Sequence, residues 1–151
     1  MKVTVVLRNE HENVKSLFDK YKKPDTRRTN GKKELFDDIR REIMVHSQIE
    51  REIFYSALTS TSSTTAVSLV AAAIEDHRAI EKLFQDLNGM NPLDSSFEAK
   101  MARMMDEVIR HIEKEEAEIF DEARKSLVEY RLEELGLEIE ERRKILTQLA
   151  A

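Results

Sequence analysis

Apolar residues recur along most of this chain at three- and four-residue steps, the spacing that lines one face of an α-helix. Val14, Leu17, Phe18 and Tyr21 form the first stripe, which predicts a helix from about Thr4, a candidate cap, to Tyr21. Lys22–Lys33 carries Pro24, Gly31 and many cations and reads as a solvated loop. Leu35, Phe36, Ile39, Ile43, His46, Glu50, Ile53, Phe54 and Ala57 form the second stripe, predicting a helix over Lys32–Leu58. Thr59–Thr65 is almost all Ser and Thr, a connection that supplies a hydroxyl cap to the next helix. A third stripe, Val70, Ala73, Ile74, His77, Ile80, Glu81 and Phe84, predicts a helix over Thr65–Leu87, stopped by Asn88-Gly89 and Pro92. Ser95-Ser96-Phe97-Glu98 reads as a capping box opening a fourth helix that runs through Met101, Met104, Met105, Val108, His111, Ile112, Glu115 and Ile119 to about Lys125. The methionines read as core filler.

These four segments predict an all-α, up-down-up-down four-helix bundle over residues 1–125. Residues 126–151 form a helical extension, read as two short helices with Gly136 as the C-terminal cap of the first. Leu132, Leu135, Leu137, Ile139, Ile145, Leu146 and Leu149 in this tail need cover, either over one end of the bundle or in a homodimer contact.

Composition narrows the chemistry. Charged residues make up 36% of the chain and hydrophobic ones 40%, with only 3 Gly and 2 Pro, a helical mixture rather than a disordered one. The net charge of -5 gives no general attraction to nucleic acid or to anionic membrane. With no cysteine, disulfides, thiolate catalysis and sulfur-ligated metals are excluded. Met1–Arg8 does not read as a signal peptide and no apolar run is long enough to span a bilayer, so a cytoplasmic location is the default expectation.

Two members of the second stripe are polar, and the pattern repeats. The four histidines, His11, His46, His77 and His111, fall one on each predicted helix, and three have a glutamate four residues on: Glu50, Glu81 and Glu115. Residues at i and i+4 share a helical face, so each pair can present a nitrogen and a carboxylate to one point. His46 lies about 12 residues before its helix end and His77 about 12 after the next helix start, which at roughly 1.5 Å per residue puts both about 18 Å from the same loop. The other two histidines fall at that level to within about one turn. Buried carboxylates without partners cost several kcal/mol each, and a bound cation removes that cost. Imidazoles and carboxylates without sulfur suit iron, manganese or zinc. The seven candidate ligands, His11, His46, Glu50, His77, Glu81, His111 and Glu115, exceed one tetrahedral zinc but fit two metal ions, with room for a small exogenous ligand.

The segments Leu7–Phe18, His46–Tyr55, Glu75–Glu81 and His111–Glu116 together resemble the hemerythrin-like proteins of the HHE cation-binding domain type, over about Val5 to Arg124. The resemblance implies an oxo- or hydroxo-bridged di-iron centre, with His11, His46, His77 and His111 as iron ligands and Glu50 and Glu115 as bridging carboxylates. Oxygen-carrying members have a histidine where this chain has Glu81, which disfavours reversible oxygen carriage here. Glu116 is an alternative to Glu115, because carriers place their carboxylate one residue further along; helical facing favours Glu115. Tyr21 and Tyr55 are within reach of the site but read first as packing residues.

The functional expectation is a di-iron protein that binds or reacts with a small oxidant, oxygen or peroxide, as a sensor or a peroxide-decomposing protein with catalase-like chemistry. The alternatives are non-catalytic binding or storage of iron, oxygen or nitric oxide, and a metal-free helical interaction module.

Overall fold

The structure, a computed structural model, describes residues 1–23 and 29–150. Five helical rods account for nearly all of them. Helix α1 spans Val3–Lys22. Helix α2 (Thr29–Ile49) passes without a break through a π-helical turn, Glu50–Tyr55, into Ser56–Thr59. Helix α3 is Thr64–Asn88. Helix α4 (Ser95–Lys114) passes through a second π-helical turn, Glu115–Ile119, into Phe120–Ser126. Helix α5 is Glu129–Ala150. The first four form the expected antiparallel bundle, α1 and α3 running down, α2 and α4 running up.

Local chemistry sets several of the boundaries. Ser63 caps α3, its hydroxyl accepting a hydrogen bond from the Ala66 amide at 3.0 Å, as the Ser/Thr-rich connection foretells. The anticipated box at α4 does not form: Asp94 is the N-cap residue, with no side-chain cap bond. Glu98 is drawn across the bundle instead, accepting from the Tyr21 hydroxyl at 3.0 Å and pairing with Lys32. A charge-assisted pair with two donors outcompetes one exposed amide. Thr4 lies inside α1 rather than capping it, with Lys2 as the N-cap residue. The cationic segment 22–33 is shorter as a loop than expected, since α2 begins at Thr29; residues 24–28 lie outside the described residues.

The buried apolar residues divide into two clusters. The upper one includes Val3, Leu7, Phe54, Leu58, Val70, Ile119, Phe120, Leu135 and Ile139. The lower one includes Phe18, Phe36, Ile43, Phe84, Phe97, Met101, Met104 and Val108, with the methionines as filler. Between them lies a layer of buried polar side chains.

The tail departs from expectation. It is one continuous helix, and it lies along the flank of the bundle in the groove between α1 and α2 rather than over an end. Leu132, Leu135, Ile139 and Leu146 are buried there, while Leu137, Ile145 and Leu149 face outward. Gly136 sits within the helix, not at a cap. It is the point where the backbone of Met1 crosses α5: a Cβ built on Gly136 would lie 2.0 Å from the Met1 carbonyl oxygen. Glycine is needed for close approach here, not for an unusual φ.

Replacing Gly136 with Ala therefore tests the docking. Alanine favours a helix by about 1 kcal/mol, yet the clash with the N-terminal backbone should outweigh it and leave a net loss of about 1–2 kcal/mol. Thermal unfolding should show a lower Tm; a raised Tm would mean that the terminus gives way freely.

Candidate metal centre

The polar layer is built from residues that each helix presents at one depth. His11 comes from α1, His46 and Glu50 from α2, His77 from α3, and His111 and Glu115 from α4, and all six are buried. Their ligand atoms form two overlapping groups, each within 4.8 Å. One holds His11, His46, Glu50 and Glu115; the other holds His77, His111, Glu50 and Glu115. Both carboxylates belong to both groups. Glu50 Oε1 lies 3.1 Å from His46 Nε2 and 3.3 Å from His77 Nε2. Glu115 lies 3.1 Å from His11 Nε2 and 3.5 Å from His111 Nε2.

The donor set can be tested against a pair of cations by the state of its inner atoms. His11 Nε2, His46 Nε2, both oxygens of Glu50 and Glu115 Oε1 are buried and make no hydrogen bond among the described residues. Buried polar atoms are nearly always satisfied, and these unsatisfied ones all point at one centre. A pair of divalent cations between the two histidine pairs would engage each of them, so the residues fit two metal ions, with Glu50 and Glu115 common to both histidine pairs.

Glu81 is not brought into either group; it is half-buried one turn along α3. The direction of the helix explains this. On α2 and α4, four residues past the histidine leads up to the level of Glu50 and Glu115. Because α3 runs down, the same step from His77 leads toward Ile80 and Phe84 in the lower cluster. Glu115, not Glu116, faces the centre, as helical facing indicates. Glu118 is exposed. Tyr21 is occupied with Glu98 at a distance from the centre.

Tyr55, by contrast, belongs to the site. Its buried hydroxyl donates to Glu115 and lies 3.5 Å from His77 Nε2. The π-helical turn that begins at Glu50 puts it there: the repeat is one residue longer than in an α-helix, so the fifth residue returns to the inner face. The turn beginning at Glu115 does the same for Phe120, whose ring stacks on His11 at 5.9 Å. Burial, with the charges of Glu115 and Glu50, holds the Tyr55 phenol well above its ordinary pKa, so it remains a donor.

Outside the inner layer is a ring of contacts to the Nδ1 atoms. Glu10 on α1 lies 2.7 Å from His46 Nδ1 on α2. Asp76 on α3 lies 3.1 Å from His111 Nδ1 on α4. Glu116 on α4 lies 2.7 Å from His11 Nδ1 on α1. Arg51 on α2 lies 3.4 Å from His77 Nδ1 on α3. Each helix thus backs the histidine of the next. The three acids directly adjoin a ligand candidate in sequence, so they point about 100° away from it, at the neighbouring helix. The dipeptides Glu10-His11 and Asp76-His77 were the available signal. Carboxylates behind imidazoles fix the tautomer that leaves Nε2 free to coordinate. Arg143 of α5 extends one arm of this ring, donating to Glu10 Oε2 at 2.9 Å and to Glu42 at 2.8 Å. Burial opposes the charged form of Glu10, but His46 and Arg143 outweigh it and hold its pKa at about 2.

Comparison with known proteins gives the family and the fold. The family model of the hemerythrin HHE cation-binding domain matches residues 3–123, and the chain belongs to that family. The crystal structure of a hemerythrin HHE cation binding domain-containing protein from Mycobacterium kansasii superposes with a TM-score of 0.86 at 22% identity, covering 99% of this chain and 90% of the other, so the tail is included in the shared fold. A search of curated proteins returns no match.

Protons would compete with cations at this centre. Burial lowers the pKa of His111, but Glu115 and Asp76 outweigh it and raise the value to about 9; burial opposes the charged form of His46 too, and Glu50 and Glu10 likewise raise it. In the metal-free protein His111 therefore holds its proton at pH 7 and loses it as pH rises through about 9, and His46 is displaced in the same direction. Coordination needs neutral imidazole, so affinity for a divalent cation should increase between about pH 7 and 9. Binding at neutral pH should release protons, read by calorimetry in buffers of different ionisation enthalpy. A binding heat independent of the buffer would contradict this.

Proposed function

We propose that the centre holds two iron ions, His11 and His46 on one, His77 and His111 on the other, with Glu50 and Glu115 shared, and that the protein uses them to react with a small oxidant, oxygen or peroxide, as a sensor or a peroxide-decomposing protein. The observation that carries this reading is the pair of carboxylates common to both histidine groups. A wholly nitrogen and oxygen donor set suits iron, which supplies a redox couple and Lewis-acid polarisation of a bound ligand.

The chain's own residues supply the rest. The apolar clusters above and below keep bulk water out, which strengthens electrostatic interactions within the layer. The Tyr55 hydroxyl is a fixed donor at the centre, able to hold a proton at Oη beside Glu115. A cleft of about 10 Å³, lined by Leu69, Ala73, His111, Glu115 and Ile119, reaches the layer between α3 and α4. Its volume is about what one water-sized molecule needs, which favours a small ligand at this face of the layer.

Elemental analysis should find about two irons per chain, and the visible spectrum should change on adding peroxide, with oxygen release. Protein purified with no bound transition metal, or an iron-loaded protein inert to both oxygen and peroxide, would overturn the reading. Tyr55→Phe should retain iron while slowing peroxide decomposition by about a hundredfold or more, the usual scale of a lost proton donor. Ala73→Leu fills the cleft; it should slow the approach of oxidant at unchanged iron content, measured by stopped-flow, at a stability cost of about 1–3 kcal/mol.

A further inference from the structure

The ring behind the histidines has one odd member. Three of the four Nδ1 atoms face a carboxylate, Glu10, Asp76 or Glu116; His77 alone faces a guanidinium, that of Arg51. When a neutral imidazole coordinates through Nε2, its single proton sits on Nδ1 and needs an acceptor. A carboxylate accepts it and makes the ring a stronger ligand. A guanidinium has only donors, so the two groups oppose each other across 3.4 Å. Its fixed positive charge also disfavours a cation at Nε2. Arg51 makes no ion pair with a carboxylate among the described residues; Glu52, whose charge it feels, is exposed and is held instead by Arg142 at 2.9 Å.

The consequence is distributed unequally. His11 and His46 are both carboxylate-backed, by Glu116 and Glu10, and Glu10 is itself locked by Arg143 and buried. Of the other pair, only His111 is so backed, by Asp76. We infer that the two cation positions differ in affinity and fill in order: the position of His11 and His46 first and tightly, the position of His77 and His111 second and weakly, with Arg51 as the positioning residue that sets the difference. The protein then has a stable one-metal state, and the second ion is the exchangeable one. This rests on the two-cation centre proposed for the layer but not on any reaction with an oxidant.

The test is calorimetric titration of the metal-free full chain with ferrous iron under anaerobic conditions. Two resolved steps are expected, separated by about tenfold or more, the scale on which such outer contacts act. Arg51→Glu completes the ring of carboxylates and should strengthen the second step by about tenfold to a hundredfold, leaving the first unchanged. Arg51→Gln removes the charge without adding an acceptor and should give a smaller gain in the same step; it decides the matter alone if circular dichroism shows that Arg51→Glu does not fold. His46→Ala should abolish the tight step and His77→Ala the weak one. Arg131→Gln is the control, since Arg131 pairs with Glu134 and Glu138 within α5 and touches no residue of the ring; it should alter neither step. Two ions binding with one indistinguishable affinity, or a second step unmoved by both Arg51 variants, would overturn the inference. So would loss of the tight step in His77→Ala in place of His46→Ala. Inertness toward peroxide with two unequal steps intact would count only against the proposed function.

Discussion

Everything in this structure turns on how six ionisable side chains are kept away from water in mid-bundle. Four imidazoles and two carboxylates occupy one layer between two apolar clusters. Left unpaired, each would cost several kcal/mol. The layer meets this in two ways. Toward the centre, each carboxylate lies between histidines of different helices, leaving a set of unsatisfied atoms suited to cations. Away from the centre, neighbouring helices place a carboxylate at three of the four Nδ1 atoms and Arg51 at the fourth, closing a ring around the bundle. The Nε2 side of each imidazole thus faces the carboxylates of the centre and the Nδ1 side faces a neighbouring helix, which holds its orientation.

The two π-helical turns are part of that solution. Both begin at a carboxylate of the layer. An uninterrupted α-helix would return Phe54 and Ile119 toward the centre, whereas the longer turn returns Tyr55 and Phe120. One brings a hydroxyl to Glu115, and the other lays a ring on His11. A local irregularity of the backbone thereby decides whether the centre has a proton donor. The tail is coupled to the same layer: Arg143 reaches from α5 to Glu10, so the docking of α5, which Gly136 permits, sets the hydrogen bonding behind His46.

Family membership establishes a cation-binding domain, and the geometry accounts for it without further assumption. The inner donors are symmetric between the two groups, two histidines each and two shared carboxylates. The asymmetry lies one contact further out, where an arginine stands in the place that acids hold elsewhere in the ring. Ligand atoms alone would make the two positions equivalent.

By itself the sequence determined the four bundle helices, their order and the depth of the four histidines, because an apolar stripe of helical period is a local property of the chain and needs no knowledge of neighbours. For the same reason it singled out Glu50 and Glu115, each four residues past a histidine on a rising helix. Only the tertiary structure decided what depends on the relation between helices. The descending direction of α3 carried Glu81 away from the carboxylate level, although its spacing matches that of the other two. The rotation of each helix against the next chose Glu10, Asp76, Glu116 and Arg51 as partners for histidines up to 105 positions away. Tyr55 entered through a π-helical turn, Glu98 left its cap for Tyr21 and Lys32, and Gly136 served a chain crossing rather than a helix end. In each case a partner distant in sequence offered a stronger interaction than the local pattern could, and no reading of periodicity contains that partner's position.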